Sequence, residues 1–508
     1  MSFHPCLSFK IILIKNIMKY ITLNPYYTLK PDDGRALIMA KYVGRNLLKG
    51  IDDSFTNIIH PIYAMILSYV DGRELQECVS EAAKELDVPY ELVEDFVKAL
   101  LDKPELIHIK NKNATSAFPP NTIISIPEKA YNKRYTPDLF GYEKLDLCMK
   151  RHFTPSTITL MFNNICVTNC IYCYQDKTRK VNCSLSLERI LKLIHEAYDL
   201  HVNTFDVIGG EFFLYKHWRE VLKELRKYGY NPYLSTKKPL SEDDVKFLAE
   251  LKIHDIQISL DSLIEDHLIQ SLGVKPGYIN NMLDTMSLLD KYNIPVMVHS
   301  VLTKYNSNIV DMKSIYDALR KFKCVVDWHV VKGDPSLYPK VDYAKIEIAP
   351  MDLNNIIDYL SSLKNETDMP IHIPERAYIG TADLNTNNTN SRINQFFKRS
   401  FCSGLFSSLY ILPDGKVTMC EQLYWNKDFI VGNVLSDSIM DIWNSEKAKS
   451  IYFIKQENIP NDSLCHSCNK FEACRTLRQV CYREIIRKYG PDKWYYPDAN
   501  CPFVKNNI

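Results

Sequence analysis

The sequence predicts an α/β fold, in which a partial (β/α)6 TIM-type barrel follows an N-terminal winged-helix-like domain and precedes a C-terminal cysteine-rich domain. Three observations predict it. Between Ser156 and Gly333 six apolar strand-like runs alternate with helical stretches, as in a parallel sheet wound by crossover helices. From Tyr20 to Lys112 strands are followed by three short helices. Beyond Phe401 the cysteines crowd into tight clusters around a turn signal. A length of 508 residues gives a soft prior of about three domains. The boundaries read 18–112, 113–154, 155–335, 336–400 and 401–508, of which the second is a connector and the fourth a bridging region.

Composition narrows the function classes. Lys and Arg total 62 against 61 acidic residues, a net charge of +1, so there is no electrostatic footprint for nucleic acid. Fifteen cysteines suit a disulfide framework only in a small secreted chain; in a long chain with clustered cysteines they favour metal ligation in a reducing cytoplasm. No membrane span is predicted, because the apolar run Ile11 to Ile14 is too short and has no small-residue cleavage site after it. Met18 offers a natural beginning, which makes residues 1–17 either a misassigned start or a disordered extension.

The elements follow in order. Tyr20–Leu23 and Arg35–Val43 read as strands, the second after the turn signal Pro31-Asp-Asp-Gly34. Helices are expected over Asn57–Val70, Glu74–Leu86 and Pro89–Leu101, with Asp71-Gly72-Arg73 breaking the first from the second. Residues 113–154, punctuated by Pro119, Pro120, Pro127 and Pro137, read as irregular. Barrel strands are expected over Ile158–Phe162, Thr204–Ile208, Asn231–Ser235, Asp255–Leu260, Pro295–Leu302 and Val325–Val331. Ligands of such barrels sit at the C-terminal strand ends, and the polar residues fall there. Pro350–Leu363 reads as a helix, and Thr381–Asn390 as a solvated polar loop.

Directly after the first barrel strand stand Cys166, Cys170 and Cys173, spaced C-x-x-x-C-x-x-C on one loop. Three thiols so placed reach three corners of a cubic 4Fe-4S cluster and leave the fourth iron without a protein ligand. The competing reading is a zinc loop, but zinc sites pair C-x-x-C units with a fourth ligand, and none lies near. With Tyr172 before the third cysteine, the stretch resembles the signature of the radical S-adenosylmethionine (SAM) enzymes. That resemblance implies that the amino and carboxylate groups of SAM chelate the open iron and that Tyr172 lies beside adenine. It extends to Gly209-Gly210-Glu211, which matches the turn that approaches the methionyl part of SAM. It covers Ser235-Thr236 as a SAM-facing polar pair, and Ser259 with Asp261 in the segment near the ribose hydroxyls. A plain turn and ordinary strand-end caps are the competing readings of these positions.

The C-terminal cysteines are Cys402, Cys420, Cys465, Cys468, Cys474, Cys481 and Cys501. Pro413-Asp-Gly415 between apolar runs is a hairpin turn that brings Cys402 and Cys420 together. The pattern closely resembles the iron-sulfur SPASM extension of radical SAM peptide maturases. On that resemblance Cys402, Cys420 and Cys481 hold one auxiliary 4Fe-4S cluster, and Cys465, Cys468, Cys474 and Cys501 a second. One spacing departs: six residues separate Cys474 from Cys481 where the family usually has three, with Arg478 at the expected position. Whether the first auxiliary cluster is complete is therefore open, and zinc is the alternative at the C-x-x-C pair. Glu421 occupies a place where some relatives carry an acidic proton acceptor; a surface carboxylate is the plainer reading.

The order of strands and helices near the N-terminus, with the texture around Leu86-Asp-Val-Pro-Tyr90, resembles the peptide-recognition domain of the pyrroloquinoline quinone biosynthesis D type. That resemblance implies binding of a precursor-peptide leader by β-augmentation. A DNA-binding winged helix and a purely structural cap are the alternatives; against the first, Tyr90–Lys98 is acidic where a recognition helix is basic. Together the resemblances imply a cytoplasmic radical SAM enzyme that modifies a ribosomally made precursor peptide. A 5'-deoxyadenosyl radical would abstract hydrogen, a thioether or carbon-carbon crosslink would form, and flavodoxin or ferredoxin would donate electrons; neither nucleic acid nor membrane is expected as a partner. Formylglycine formation on a sulfatase is the alternative within enzymes, and a non-catalytic metal-binding scaffold or winged-helix regulator the alternative outside them.

Overall fold

A computed structural model of the chain describes residues 20–41, 54–111, 114–148, 151–176, 180–339, 341–377, 389–476 and 478–504. The expectations for residues 1–17 and for most of the polar loop, 381–388, lie outside the described residues. Residues 20–41 and 54–148 form one compact unit and residues 151–504 a second.

The first unit runs β1 (Tyr20–Leu23), β2 (Tyr27–Pro31), β3 (Ala36–Ala40), β4 (Thr56–Ile59), α1 (Pro61–Leu67), β5 (Asp71–Glu74), α2 (Leu75–Leu86), α3 (Tyr90–Leu100), β6 (Ile107–Asn111), β7 (Ala114–Phe118) and β8 (Ile123–Ile126). The sheets are ordered β5-β1-β8, β2-β3-β4 and β6-β7. Ile21, Tyr27, Leu29, Ile38, Val79, Val97 and Phe118 are buried at their centre.

Three expectations need correction. Asn57–Val70 is not one helix: Thr56–Ile59 pairs antiparallel with β3, and α1 begins only at Pro61, whose fixed φ suits a first turn, with His60 Nδ1 accepting from Ile62 N at 3.1 Å. Asp71-Gly72-Arg73 does not merely interrupt the helices; it forms β5 against β1. There Gly72 has φ +96°, and a Cβ would lie 2.1 Å from the Ala130 carbonyl oxygen. Finally, residues 113–154 are no irregular connector. β8 pairs antiparallel along the whole of β1, Tyr20 opposite Ile126 and Leu23 opposite Ile123. Four-residue strands between prolines are too short to show a period, so only their distant partner reveals them.

The second unit runs β9 (Thr157–Met161), α4 (Leu187–Asp199), β10 (Thr204–Ile208), α5 (Trp218–Lys227), β11 (Ser235–Thr236), α6 (Glu242–Glu250), β12 (Ile256–Ser259), α7 (Glu265–Leu272), α8 (Tyr278–Lys291), β13 (Val296–Leu302), α9 (Ile309–Leu319), β14 (Val325–Lys332), α10 (Pro350–Leu363), β15 (Ile371–His372), α11 (Thr389–Phe397), β16 (Ser408–Ile411), β17 (Lys416–Thr418), β18 (Ile430–Asn433), α12 (Ile439–Trp443), α13 (Glu446–Tyr452) and α14 (Tyr482–Tyr489). The strands fall into two sheets: β10-β9-β16-β17-β18, in which β17 pairs antiparallel with both β16 and β18, and the all-parallel β11-β12-β13-β14-β15. Between β10 and the segment before β11, Tyr233 N donates to Asp206 Oδ1 at 2.9 Å. The expected strand Asn231–Ser235 shrinks to Ser235–Thr236 because Pro232 has no N–H to give a ladder.

Two pairings tie later chain into the barrel. β15, inside the expected bridging region, adds a parallel strand beside β14. β16 pairs in parallel with β9, Ser408 opposite Thr157 through Ile411 opposite Leu160, so the cysteine-rich region shares a sheet with the barrel. The hairpin expected at Pro413-Asp-Gly415 forms, joining β16 to β17 with Gly415 at φ +83°. Buried Arg151 donates to the carbonyls of Leu405 at 2.7 Å and Trp443 at 2.5 Å, and its guanidinium lies 3.7 Å from the centre of the Trp443 ring. Ile158, Leu160, Val207, Ile258, Val298 and Trp328 fill the core between strands and helices.

Candidate active site

Parallel strands deliver their C-terminal ends to one side of the barrel. There β9 releases the loop bearing Cys166, Cys170 and Cys173; β10 ends in Gly209-Gly210-Glu211; β11 carries Ser235 and Thr236; β12 carries Ser259; and β13 and β14 bring His299, Val301 and Val331. All of these line one cavity of about 330 Å³, together with Tyr172, Gln175 and Lys237, and with Gln422 and Arg483 from the C-terminal region.

The cysteine loop is held by its own hydroxyl. Thr168 Oγ1 lies 3.3 Å from Cys166 Sγ and 3.2 Å from Cys170 Sγ. Burial pushes the Cys170 thiol up to about 11, against a smaller opposing pull from Lys237. Such a thiol stays neutral by itself and ligates once iron supplies the compensating charge, so the donor set fits a cluster. Gly210 lies against this loop: a Cβ there would sit 2.2 Å from the Ile165 carbonyl oxygen, and Gly210 N donates to Asn163 O at 2.6 Å.

Around the cavity the polar groups are fixed in advance. Buried Glu211 accepts from Thr236 Oγ1 at 2.8 Å, Phe213 N at 3.2 Å and Lys237 N at 3.3 Å; burial raises its pKa, while these bonds pull it back. Buried Gln175 donates to the Gly209 carbonyl, and its Oε1 has no hydrogen-bond partner among the described residues. That orphaned acceptor and the tight glycine turn suit a cavity that takes a polar cofactor. Asp261 accepts from the Tyr172 hydroxyl, from Val301 N at 2.9 Å and from Lys237 Nζ at 3.3 Å. Burial alone would lower the Lys237 pKa, but the Asp261 carboxylate, with a smaller contribution from Cys170, outweighs it and leaves the ammonium favoured. His299 goes the other way, pushed down to about 4 by burial and by Lys237, and is neutral at pH 7. Ser235 is exposed on the cavity rim and Ser259 buried, each accepting from Gln257 Nε2, at 3.4 and 3.3 Å.

The C-terminal cysteines gather in two sets. Burial raises the thiols of Cys402 and Cys420, the latter to about 12, and each feels the charge of Cys481. The long spacing to Cys481 is taken up by a wide helical turn over Glu472–Thr476 and by Gln479 at φ +63°, after which Cys481 caps α14. Cys465, Cys468, Cys474 and Cys501 line a small cleft with Phe471 and Arg475. Arg399 donates to Cys474 Sγ at 3.3 Å and to the carbonyls of Cys474 and Gln479 at 2.8 and 2.7 Å. Arg475, 1% exposed, gives one bond to the Tyr496 carbonyl, while its Nε and Nη1 have no partner among the described residues. A buried guanidinium beside four thiols calls for an anion, which a thiolate-ligated cluster would be. Glu421, next to Cys420, is pushed up to about 7 by burial and by the Asp206 carboxylate.

Lys237, His299, Gln175, Arg399 and Arg475 carry no spacing rule that marks them in the sequence. Only Lys237 had a local signal, directly after Ser235-Thr236.

The radical SAM superfamily model matches residues 160–319, and the SPASM model, an iron-sulfur cluster-binding domain, matches residues 402–469. Residues 160–319 thus form a radical SAM domain and residues 402–469 a SPASM iron-sulfur domain, and the cofactors are SAM and 4Fe-4S clusters. Among its relatives is the antilisterial bacteriocin subtilosin biosynthesis protein AlbA of Bacillus subtilis, 24% identical over 57% of this chain; the match spans 60% of the length of AlbA. A probable GTP 3',8-cyclase of Saccharolobus islandicus is 21% identical over 58% of this chain and 89% of its own. Among solved structures, Streptococcus suis SuiB bound to precursor peptide SuiA shares the fold with a TM-score of 0.62 at 14% identity, covering 95% of this chain and 99% of that one.

Proposed function

We propose that the protein is a radical SAM peptide maturase that modifies a ribosomally synthesised precursor peptide and forms a thioether or carbon-carbon crosslink in it. The observation that carries the reading is the convergence of Cys166, Cys170 and Cys173 with the Gly209-Gly210-Glu211 turn and Lys237 on a single cavity. AlbA, a bacteriocin biosynthesis protein, and SuiB, seen bound to a precursor peptide, support the substrate class.

Cys166, Cys170 and Cys173 would hold the SAM-binding cluster, with Cys402, Cys420 and Cys481 and then Cys465, Cys468, Cys474 and Cys501 holding two auxiliary ones. When bound, the reduced cluster and SAM supply a 5'-deoxyadenosyl radical able to take hydrogen from an unactivated carbon. The residues of the chain do the rest. Gly209 and Gly210 would let backbone approach the methionyl part of SAM, Ser235, Ser259 and Asp261 would position its nucleoside, and Tyr172, tethered to Asp261, would lie beside its adenine. Lys237 stays an ammonium and can pair with a carboxylate in the cavity. Neutral His299 offers a hydrogen bond without adding charge. Glu421, poised near neutrality, takes the proton released as the substrate is oxidised.

The N-terminal unit acts as the winged-helix-like leader-binding domain. Its hairpin leaves the outer edge of β6 without a strand partner among the described residues, and side chains alternate along that strand between half-buried Ile107 and Ile109 and exposed His108 and Lys110. An edge of that kind accepts a further strand from a peptide. Flavodoxin or ferredoxin in the cytoplasm is the proposed electron source.

Anaerobic incubation of the reconstituted protein with SAM and dithionite tests the reading. Production of 5'-deoxyadenosine by the parent, and its loss in Cys166/Cys170/Cys173→Ala, is expected; no product from either would remove the enzyme reading.

A further inference from the structure

Strands β13, β14 and β15 lie side by side in parallel register, with His299 opposite His329 and His329 opposite His372. Along β14 the faces alternate. Trp328 and Val330 are buried in the core, whereas Asp327, His329 and Val331 take the other face, on which Val331 and the neighbouring His299 line the cavity. Such strands are ordinarily near-continuous apolar runs, so a carboxylate and an imidazole two residues apart stand out as costly guests. They meet rather than scatter. His329 Nε2 lies 2.8 Å from Asp327 Oδ2, His372 Nε2 lies 3.0 Å from Asp327 Oδ1, and the two imidazole centres are 4.0 Å apart. One donor atom from each of the three residues falls within 4.8 Å of the others.

We propose that Asp327, His329 and His372 form a binding site for a divalent first-row transition-metal ion, separate from the iron-sulfur cysteines. Two imidazoles and one carboxylate are a donor set that Zn²⁺ and Fe²⁺ take readily, and one that holds no cubane cluster. Ligands at about 2.0–2.2 Å around a tetrahedral ion stand about 3.4 Å from each other, and the two nitrogen-oxygen approaches, 2.8 and 3.0 Å, need widen only by about half an ångström to admit one. Backbone hydrogen bonding fixes two of the donors on the central strand β14 and the third on its neighbour, so the pocket is organised before an ion arrives. The Asp327 side chain is 10% exposed, that of His329 27% and that of His372 57%. The site is thus walled on the β14 side and reached from solvent past His372. Three protein ligands leave coordination positions for water or for a carbonyl or carboxylate oxygen of a bound substrate. His299 joins this row to the cavity.

The alternative is a carboxylate that merely bridges two imidazoles. Full-length protein, reconstituted anaerobically with iron and sulfide, is equilibrated with Zn²⁺ and desalted. Zinc is then counted by mass spectrometry and its ligands read by X-ray absorption. About one zinc per chain is expected, with a nitrogen and oxygen shell at about 2.0–2.1 Å. The His329→Gln/His372→Gln variant should lose it while keeping its iron and melting temperature. No zinc in the parent, a sulfur shell, or zinc retained by the double variant would overturn the proposal. If that variant fails to fold, Asp327→Asn decides. It keeps the shape but removes the anionic ligand, and zinc affinity should fall at least about tenfold; unchanged affinity overturns the site.

Discussion

Glu421 and Lys237 are two side chains whose charge their surroundings set in opposite senses, the first toward neutrality and the second toward the ammonium. A carboxyl whose folded pKa, about 7, lies above its ordinary value of 4.5 binds more protons folded than unfolded. Its ionisation therefore opposes folding, and stability falls as pH rises from about 4.5 through about 7. Glu421→Gln removes that cost. At pH 8 the variant should be more stable than the parent by about 1–3 kcal/mol, with the difference vanishing near pH 4, as measured by chemical denaturation across pH. If Glu421 accepts the substrate proton, peptide modification in the parent rises through pH 7, and the variant loses that limb while still cleaving SAM. Lys237→Met makes the contrasting case. It strips the cation from buried Asp261, so it should cost stability by about 3 kcal/mol and weaken SAM binding at least tenfold, which isothermal titration would read.

Among the elements, the cysteine loop and the glycine turn make one object, because Gly210 sits where any Cβ would strike the Ile165 carbonyl. Gly210→Ala should displace the loop and lose about four irons without unfolding the N-terminal unit. Legibility in the sequence follows the range of the interaction. The three-cysteine spacing and the Pro413-Asp-Gly415 hairpin are local, and they stand in the structure where their chemistry put them. β12, β13 and β14 were legible because strand-length apolar runs separated by helices declare themselves. β16 beside β9, and β8 beside β1, were not, since pairing across hundreds of residues, or about a hundred, leaves no local mark. The same holds for Asp327, His329 and His372, which meet only across the β14–β15 pair. Arg151 is a further long-range case, clamped between the carbonyls of Leu405 and Trp443. Trp443→Ala would remove a fully buried indole and that cation-π contact, and should cost about 3–5 kcal/mol, seen as a lower denaturation midpoint.

At the scale of the whole molecule the question is how many clusters the second unit carries, and the Cys474 to Cys481 segment decides it. Its six-residue spacing leaves the first auxiliary set in doubt by counting alone. In the fold, the wide turn at Glu472–Thr476 and the reversal at Gln479 return Cys481 to within reach of the charges of Cys402 and Cys420. Cys402, Cys420 and Cys481 then influence one another electrostatically, with no fourth thiol coupled to them among the described residues; on the proposed reading, a cluster held there would have one iron open to a substrate ligand. Complete reconstitution should therefore give about 12 irons per chain, falling by about four in Cys402/Cys420→Ala and by the same amount in Cys166/Cys170/Cys173→Ala. A parent that holds about eight, unchanged in Cys402/Cys420→Ala, would mean the first auxiliary set is empty. If the second set holds a cluster, it is tuned from inside: Arg399 bonds Cys474, and Arg475 lies buried beside it with two nitrogens unpaired among the described residues. Positive charge next to a cluster favours its reduced form, so Arg475→Gln should lower the midpoint potential of that cluster by on the order of 50 mV, read by redox titration followed by electron paramagnetic resonance. The other two potentials, set by cysteines elsewhere in the unit, should stay where they are.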